Sequence, residues 1–452
     1  MADYASWGNY PTARQEVQRL FWRHAALPRQ AEGSSLLPYG LGRSYGDSCL
    51  NDGGTLLDVT GLDHLIDFDA ETGVLRCEAG ISLAAILELM VPRGWFLPVT
   101  PGTKFVTVGG AVANDVHGKN HHRAGTFGRH VLRLELLRSD GQRLICTPRE
   151  NEDLFRATIG GLGLTGLITW VEFNLKPISS ERIERESIKF SSLSEFVELT
   201  EDSDERYEYT VAWIDSLARG HRLGRGFFFR GNHAVGSANV LTAGRGAKLS
   251  VPFFAPNFVL GPWTVRGFNT LYYRRQTRKV VADSVHYDPF FYPLDAVGNW
   301  NRLYGKRGFL QYQFVVPVER GLDATRHVLS RIAASGEGSF LAVLKLFGEA
   351  PAPGMLSFPM PGFTLALDLP HRGAGTLSLL NRLDRVVTEH GGRVYPAKDA
   401  RMSAASFEAF YPHWREFAQF IDPAFSSSFW RRVTAGTAPG AGALETAPPE
   451  FV

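Results

Sequence analysis

The sequence predicts an α+β fold in two domains, and three observations carry that prediction. A chain of 452 residues exceeds what a single hydrophobic core usually organises. Its first 180 residues alternate short strand-like runs with isolated helical ones, without a regular βαβ rhythm. From about Ser179 the texture changes to alternating aromatic and polar residues, the pattern of a half-buried antiparallel sheet.

Taken in order, LLDV from Leu56, HLIDFD from His64 and VLRCEAG from Val74 read as strands, with a hairpin turn from Ala70 to Gly73. Ser82 is a suitable N-cap for the helical run LAAILELMV, which Pro92 and Gly94 end, and Trp95 to Val99 is extended again. The stretch from Pro101 to His122, PGTKFVTVGGAVANDVHGKNHH, concentrates small residues beside polar ones. By itself it reads either as a cradle that brings backbone N–H groups to an anion or as a glycine-rich turn between core strands. Further on, NEDLFRATI reads as a helix and LITWVEFNL as a strand. The intervening GGLGLTG contains a G-x-G-x-x-G from Gly161, but a dinucleotide fingerprint must follow a strand and open a helix. Here the order is reversed, so the glycines are read as a tight helix-to-strand turn.

In the second half, EFVELTEDSDERYEYTVAWID, RGFFFRG and GFLQYQFVVPV are assigned to the antiparallel sheet. The segment from Ala247 to Asn269, rich in Phe, Pro and Trp, reads as a mobile apolar loop. The small-residue, proline-rich end, 434–452, is expected to be disordered.

Composition narrows the function classes. Lys and Arg number 48 against 46 Asp and Glu, dispersed along the chain, which disfavours nucleic acid as a partner. Three cysteines without C-x-x-C spacing form neither a disulfide framework nor a zinc site and are expected reduced. His117 and His121 stand four apart with His122 and His130 nearby, yet Gly118 and Asn120 weaken a helix there. No carboxylate or cysteine completes a ligand set, so no metal is assigned. No signal-like apolar region and no run of about 18 uncharged apolar residues occurs, so a cytoplasmic or peripheral inner-membrane protein is expected.

With PYGLGRSYGDS at Pro38–Ser48, the cradle at 101–122 and GGLGLTGLI at Gly160–Ile168 in that order, the chain resembles the FAD-linked oxidases of the vanillyl-alcohol oxidase type. Within that family, HGKNHHRAGTFG, WNRLYGKRGFLQYQFVVP, LKLFG with LSFPMPGF, and YPAKDAR are similar to members that oxidise a polyprenyl-phosphoryl ribose. The resemblance implies an FAD-binding domain made of 1–180 and 391–433, with a substrate-binding domain, 181–390, inserted between them. It implies FAD contacts from Gly40, Leu41, Gly42, Arg43, Ser44, Tyr45, Gly102, Thr107, Val108, Gly109, Gly110, Asn114, Asp115, Val116, His117, Ile168 and Tyr395. Val108 and Ile168 have a second reading as plain core residues. Relatives often carry a flavin-linked histidine where this chain has Arg43, so the FAD is expected to be noncovalent.

Oxidation of a secondary alcohol needs a group that accepts or relays the hydroxyl proton, and Lys398, Tyr45 and His117 are the candidates, Lys398 first. A desolvated lysine has a lowered pKa and stabilises developing negative charge. Its alternative is a surface lysine paired with Asp399. Gln311 and Gln313 flank Tyr312, so strand alternation turns both amides to one face, where they read sugar hydroxyls. Lys345 is placed to meet a phosphodiester or the sugar, with Tyr273 and Trp213 as walls. The alternative for these positions is a solvated strand over core aromatics.

The resemblance therefore implies oxidation of the C2′ hydroxyl of a polyprenyl-phosphoryl-β-D-ribose to the 2′-keto sugar, the first half of an epimerisation toward an arabinose donor for cell-envelope glycan. It further implies a separate nicotinamide-dependent keto-reductase, a quinone or other electron acceptor, and peripheral membrane contact through the apolar loop. An FAD-dependent oxidase of a soluble alditol or aldonolactone is the alternative, and a catalytically silent flavin-binding subunit a third.

Overall fold

The computed structural model describes residues 4–29, 33–236, 242–244, 249–256 and 259–436. Three larger sheets, beside two short two-stranded pairs, organise them. Near the N-terminus, Glu16–Arg19, Thr55–Asp58 and Leu36–Tyr39 form a parallel sheet with Thr55–Asp58 in the centre. A five-stranded antiparallel sheet follows in the spatial order Leu65–Phe68, Val74–Glu78, Leu167–Asn174, Val131–Leu137, Arg143–Cys146. The helix Leu83–Met90 packs here, its N-cap Ser82 accepting from the Ala85 amide at 3.1 Å. The helix Glu152–Thr158 precedes the glycine turn and the strand Leu167–Asn174 follows it, the order that excludes a dinucleotide fingerprint.

The third sheet has eight antiparallel strands. Their order is Val280–His286, Arg182–Phe190, Gly226–His233, Tyr209–Ile214, Ala342–Phe347, Gly362–Pro370, Phe309–Val316 and Arg393–Val394. Strand periodicity divides its two faces. Leu310, Tyr312 and Phe314 of one strand and Leu365, Leu367 and Leu369 of the next are buried in one hydrophobic cluster with Leu329 and Ile332 of helix Val318–Ser335 and Leu379 and Leu383 of helix Ala374–Glu389. The intervening residues, Gln311, Gln313, Ala366 and Asp368, therefore turn to the opposite face, where they line a cavity.

Two expectations fail in the second half. Residues within EFVELTEDS form the helix Leu193–Ser203 and not a strand: Ser192 caps it by accepting from the Glu195 amide, and Leu193, Phe196, Thr200 and Ser203 are buried at helical spacing. Within the expected apolar loop, Pro262–Arg274 is a helix, with Gly261 at the N-cap and Pro262 in the first turn, a favoured start. Part of that expected loop, including Ala247, Lys248, Asn257 and Phe258, lies outside the described residues. At the C-terminus, helix Ser428–Thr434 runs to the first residue of the expected tail, of which 437–452 lie outside the described residues.

The C-terminal segment is tied back to the N-terminal one. The Leu36 amide donates to Ala424 O at 2.8 Å and the Ser426 amide to Leu36 O at 3.0 Å. Arg432 grips Asp47 through Nη2 and Nε, at 2.6 and 2.8 Å, and the same Nη2 donates to Asp399 at 2.9 Å. Both carboxylates are buried, so removing the guanidinium strands two acidic groups away from water. Arg432→Met is expected to lower stability by about 3–5 kcal/mol. Arg326→Met, which breaks an exposed pair with Asp323, should change it by less than about 1 kcal/mol. Urea unfolding followed by circular dichroism measures both.

Candidate active site

A cavity of about 720 Å³, within the usual range for cofactor and ligand sites, lies between the inner face of the eight-stranded sheet and two N-terminal segments, Gly40–Tyr45 and Pro101–Lys119. The first segment leaves the strand Leu36–Tyr39 in a sharp turn at Gly42, whose φ is +60°. A Cβ there would come within 2.0 Å of Tyr39 Oη. The backbone amides of Gly40, Leu41, Gly42, Arg43 and Ser44 donate to no acceptor among the described residues. Successive unmet amides in a turn form an anion-binding nest.

Arg43 adds positive charge beside that nest. Its guanidinium carbon lies 3.9 Å from the Trp7 ring centroid, and its buried Nε has no partner among the described residues. Burial lowers its pKa, and Asp295 opposes that shift. Facing the turn, Thr107 caps the short helix Val108–Ala113 by accepting from the Gly110 amide at 3.1 Å. Unmet amides, an unpaired guanidinium nitrogen and a glycine-lined wall fit the pyrophosphate of a dinucleotide such as FAD. Gly102, Gly109, Gly110, Asn114, Val116 and Ile168 line the same cavity. Tyr395 Oη donates to Asn114 O at 2.7 Å, and Asn114 Nδ2 donates to Gly110 O at 2.8 Å.

Three expected contacts are not on the cavity wall. Val108 is fully buried in the core beneath the short helix. Asp115 is also buried, its carboxylate accepting from the Gly128 amide at 2.9 Å and from Ser357 Oγ at 2.5 Å; it braces the loop from behind. Tyr273 donates to Phe190 O at 3.1 Å, away from the cavity. Its neighbour Tyr272 lines the wall instead, because adjacent helical positions point about 100° apart.

The polar end of the cavity gathers Lys398, Tyr45, His117, Gln311, Gln313 and Lys345. Lys398 follows the strand Arg393–Val394 in the turn Pro396–Lys398, and its Nζ stands 4.1 Å from the Tyr45 ring centroid. It is not paired with Asp399, whose carboxylate is taken by Arg432 and the Met402 amide. Burial lowers the Lys398 pKa to about 8, with Asp368 opposing. Burial likewise takes Lys345 down to about 7, helped by Lys119 and Lys398, and its Nζ donates to Gly118 O at 3.3 Å.

His117 is held well below its ordinary value, first by burial and then by Lys345, His121 and Lys398, so it is neutral at pH 7. Gln313 Nε2 donates to His117 Nε2 at 2.9 Å, which places the imidazole proton on Nδ1, an atom with no partner among the described residues. His121 packs on the same Phe347 ring as His117, with centroids 4.3 and 4.8 Å away, while His122 Nε2 bonds to Tyr207 O at 3.0 Å.

Across the sheet the wall becomes apolar. Trp213, held by an Nε1 bond to Phe340 O at 2.9 Å, lines it with Phe229, Phe268 and Phe340. The strands of Gln311 and Phe229 are four ladders apart, roughly 19 Å.

Sequence reasoning missed Asp368, Lys119, Asp295, Tyr272, Arg275 and Trp7, all on the cavity wall. One local signal pointed to Asp368: it is the sole charged residue in the apolar strand GFTLALDLP. Its meaning depends on register, which places it opposite Gln311.

Residues 11–147 match the FAD binding domain family. The chain is 39% identical to a decaprenylphosphoryl-beta-D-ribose oxidase of Mycolicibacterium smegmatis over 427 residues, 90% of this chain and 91% of that protein. An uncharacterised protein of Streptomyces coelicolor is 35% identical over 78% of this chain and its own full length. An L-gulono-1,4-lactone dehydrogenase of Mycobacterium tuberculosis is 24% identical over 89% of this chain and 90% of that protein. The chain belongs to the FAD-binding oxidases of the vanillyl-alcohol oxidase type. It is an FAD-dependent oxidoreductase acting on a CH–OH group.

Gly42→Ala is expected to yield protein with less than about a tenth of the wild-type FAD, since a side chain at this positive φ displaces the nest. Gly267→Ala, in open space on a helix, should bind FAD normally. The ratio of absorbance at the flavin band to that of protein measures both.

Proposed function

We propose that this chain oxidises the C2′ hydroxyl of a polyprenyl-phosphoryl-β-D-ribose to the 2′-keto sugar, using noncovalently bound FAD. The observation that carries the reading is the cavity's change of character along the sheet. A sugar-sized polar end is followed by an aromatic one, and the similarity to the decaprenylphosphoryl-beta-D-ribose oxidase extends over nearly the whole chain.

FAD supplies a two-electron acceptor for the carbinol hydride. Gln311 and Gln313 present amides to the sugar, neutral His117 offers a hydrogen-bond donor at Nδ1, and Tyr45 forms the floor beneath Lys398. The Lys398 ammonium would stabilise negative charge developing on the substrate alkoxide. Residues 1–180 and 391–433 hold the cofactor in this reading, and 181–390 the substrate. Arg43, stacked on Trp7, stands where relatives carry a flavin-linked histidine, and a guanidinium forms no such link.

The phosphodiester suits Arg275 better than Lys345. Arg275 lines the aromatic end of the cavity, stacks 3.8 Å from the Tyr272 centroid and has no carboxylate partner among the described residues. Lys345 is half-buried and bonded to a carbonyl at the sugar end. Beside Arg275, helix Pro262–Arg274 exposes Trp263 and Leu271, 80% and 72% accessible, together with Arg266 and Arg274. That combination suits a polyprenyl chain delivered from an anionic bilayer surface. No helix among the described residues is long and apolar enough to cross a membrane. The resemblance further suggests a nicotinamide-dependent reductase that completes the epimerisation and a quinone or similar acceptor that re-oxidises the flavin. The similarity to an L-gulono-1,4-lactone dehydrogenase favours a second reading, oxidation of a soluble alditol or aldonolactone, which leaves the aromatic end without a role.

Acid precipitation is expected to release all of the FAD into the supernatant. Anaerobic addition of polyprenyl-phosphoryl ribose should bleach the flavin, whereas free pentitol should not; the reverse pattern would establish the second reading. Lys398→Ala should keep the flavin absorbance and slow bleaching by roughly 100-fold.

A further inference from the structure

Two carboxylates line the cavity, Asp295 and Asp368, and they differ in what they still need. Asp295 accepts from the Lys104 amide at 2.9 Å and lies near Arg43. Asp368 is 2% accessible; its Oδ1 accepts from Gln311 Nε2 at 2.5 Å, but its Oδ2 is buried without a partner among the described residues. Its backbone is pinned, the Asp368 amide donating to Ser339 Oγ at 3.0 Å, and its strand neighbours Leu367 and Leu369 are locked into the opposite core. The side chain is therefore confined to the cavity, with one oxygen free. A buried acceptor with an unmet lone pair is costly unless a ligand completes it.

We propose that Asp368 is the catalytic residue that takes the proton from the substrate hydroxyl, while Lys398 stays cationic beside it. This rests on the proposed oxidation of a secondary alcohol. The O–H bond breaks with its proton passing to Asp368 Oδ2, the adjacent C–H bond breaks with its electron pair passing to FAD, and the carbinol becomes a ketone. The carboxylate becomes a carboxylic acid and later returns the proton to solvent.

The surroundings suit this division of roles. Burial raises the Asp368 pKa to about 7, with Gln311 and Lys398 opposing. Lys398, at about 8, is protonated where Asp368 is already ionised. The other titratable groups acting on this pair are Tyr45 from the Gly40–Tyr45 turn and Tyr304 from the turn Trp300–Tyr304, both raised well above their ordinary value by burial and by Asp368, and His117 and Lys345 facing Lys398. Tyr45 and Tyr304 keep their protons near pH 7, the unpartnered His117 nitrogen already carries one, and Lys345 is engaged with Gly118 O, whereas Asp368 presents a carboxylate with an open oxygen. The rate of flavin reduction should rise through about pH 7 as Asp368 ionises and fall above about pH 8 as Lys398 loses its proton.

Asp368→Asn keeps the shape and the Gln311 contact but removes the base. The FAD-loaded variant should be reduced at least roughly 100-fold more slowly than wild type by whichever donor, lipid-linked ribose or pentitol, bleaches the wild type. Its profile should lose the limb near pH 7, and Asp368→Glu should restore part of both. A second readout needs no substrate: trace acetylation of Lys398, followed by peptide mass spectrometry across pH. In Asp368→Asn the amine should titrate about one unit lower, because the carboxylate that favours its charged form is gone. Wild-type reduction by Asp368→Asn, or an unchanged Lys398 titration, overturns the proposal. Bleaching by pentitol alone overturns the substrate assignment and leaves the comparison of variants intact.

Discussion

The site depends on a contact between two segments more than 350 positions apart in sequence. Gly46 lies so close to the turn Pro396–Lys398 that a Cβ would sit 1.8 Å from Asp399 O, and the Tyr45 amide donates to Ala397 O at 2.9 Å. This contact sets Tyr45 beneath Lys398 and joins the turn of unmet amides to the polar end of the cavity. Arg432 fastens it from behind by holding Asp47 and Asp399 together. With Asp399 engaged there, Lys398 is left without the neighbouring carboxylate that would have neutralised it. The charge available to the cavity is thus determined partly by residues that do not touch it.

Dehydration governs the rest of the chemistry. Burial is the largest influence on His117, Lys345, Lys398 and Asp368, moving each toward its neutral form. The imidazole becomes neutral, while the lysines and the carboxylate come to titrate close to neutrality. One strand supplies this arrangement by alternation alone, since Leu367 and Leu369 fill the core on one face and Asp368 reaches the cavity on the other.

Locally encoded features were legible in the sequence. Ser82 and the Pro92–Gly94 stop bound a helix as expected. The pairing of Gln311 and Gln313 on one face follows from strand period. What escaped depended on tertiary context. The helix Leu193–Ser203 carries apolar residues close enough in sequence to pass for strand alternation, and only its burial pattern resolves the period. Pro262–Arg274 reads as loop because its Pro and Gly fall at a helix start, where they are favourable. Tyr272 and Tyr273 are neighbours in sequence, and helix phase alone decides which one faces the cavity. Asp368 acquires meaning only when register sets it beside Gln311 and chain return sets Lys398 near it.

If this cavity oxidises the C2′ carbinol of a lipid-linked ribose, anaerobic flavin reduction carries a primary isotope effect at that carbon. Polyprenyl-phosphoryl ribose deuterated at C2′ should reduce the FAD several-fold more slowly than the unlabelled sugar, whereas deuterium at C3′ should leave the rate unchanged. An effect from C3′ deuterium, or none from C2′ deuterium when reduction itself is the observed step, would rule out oxidation at C2′.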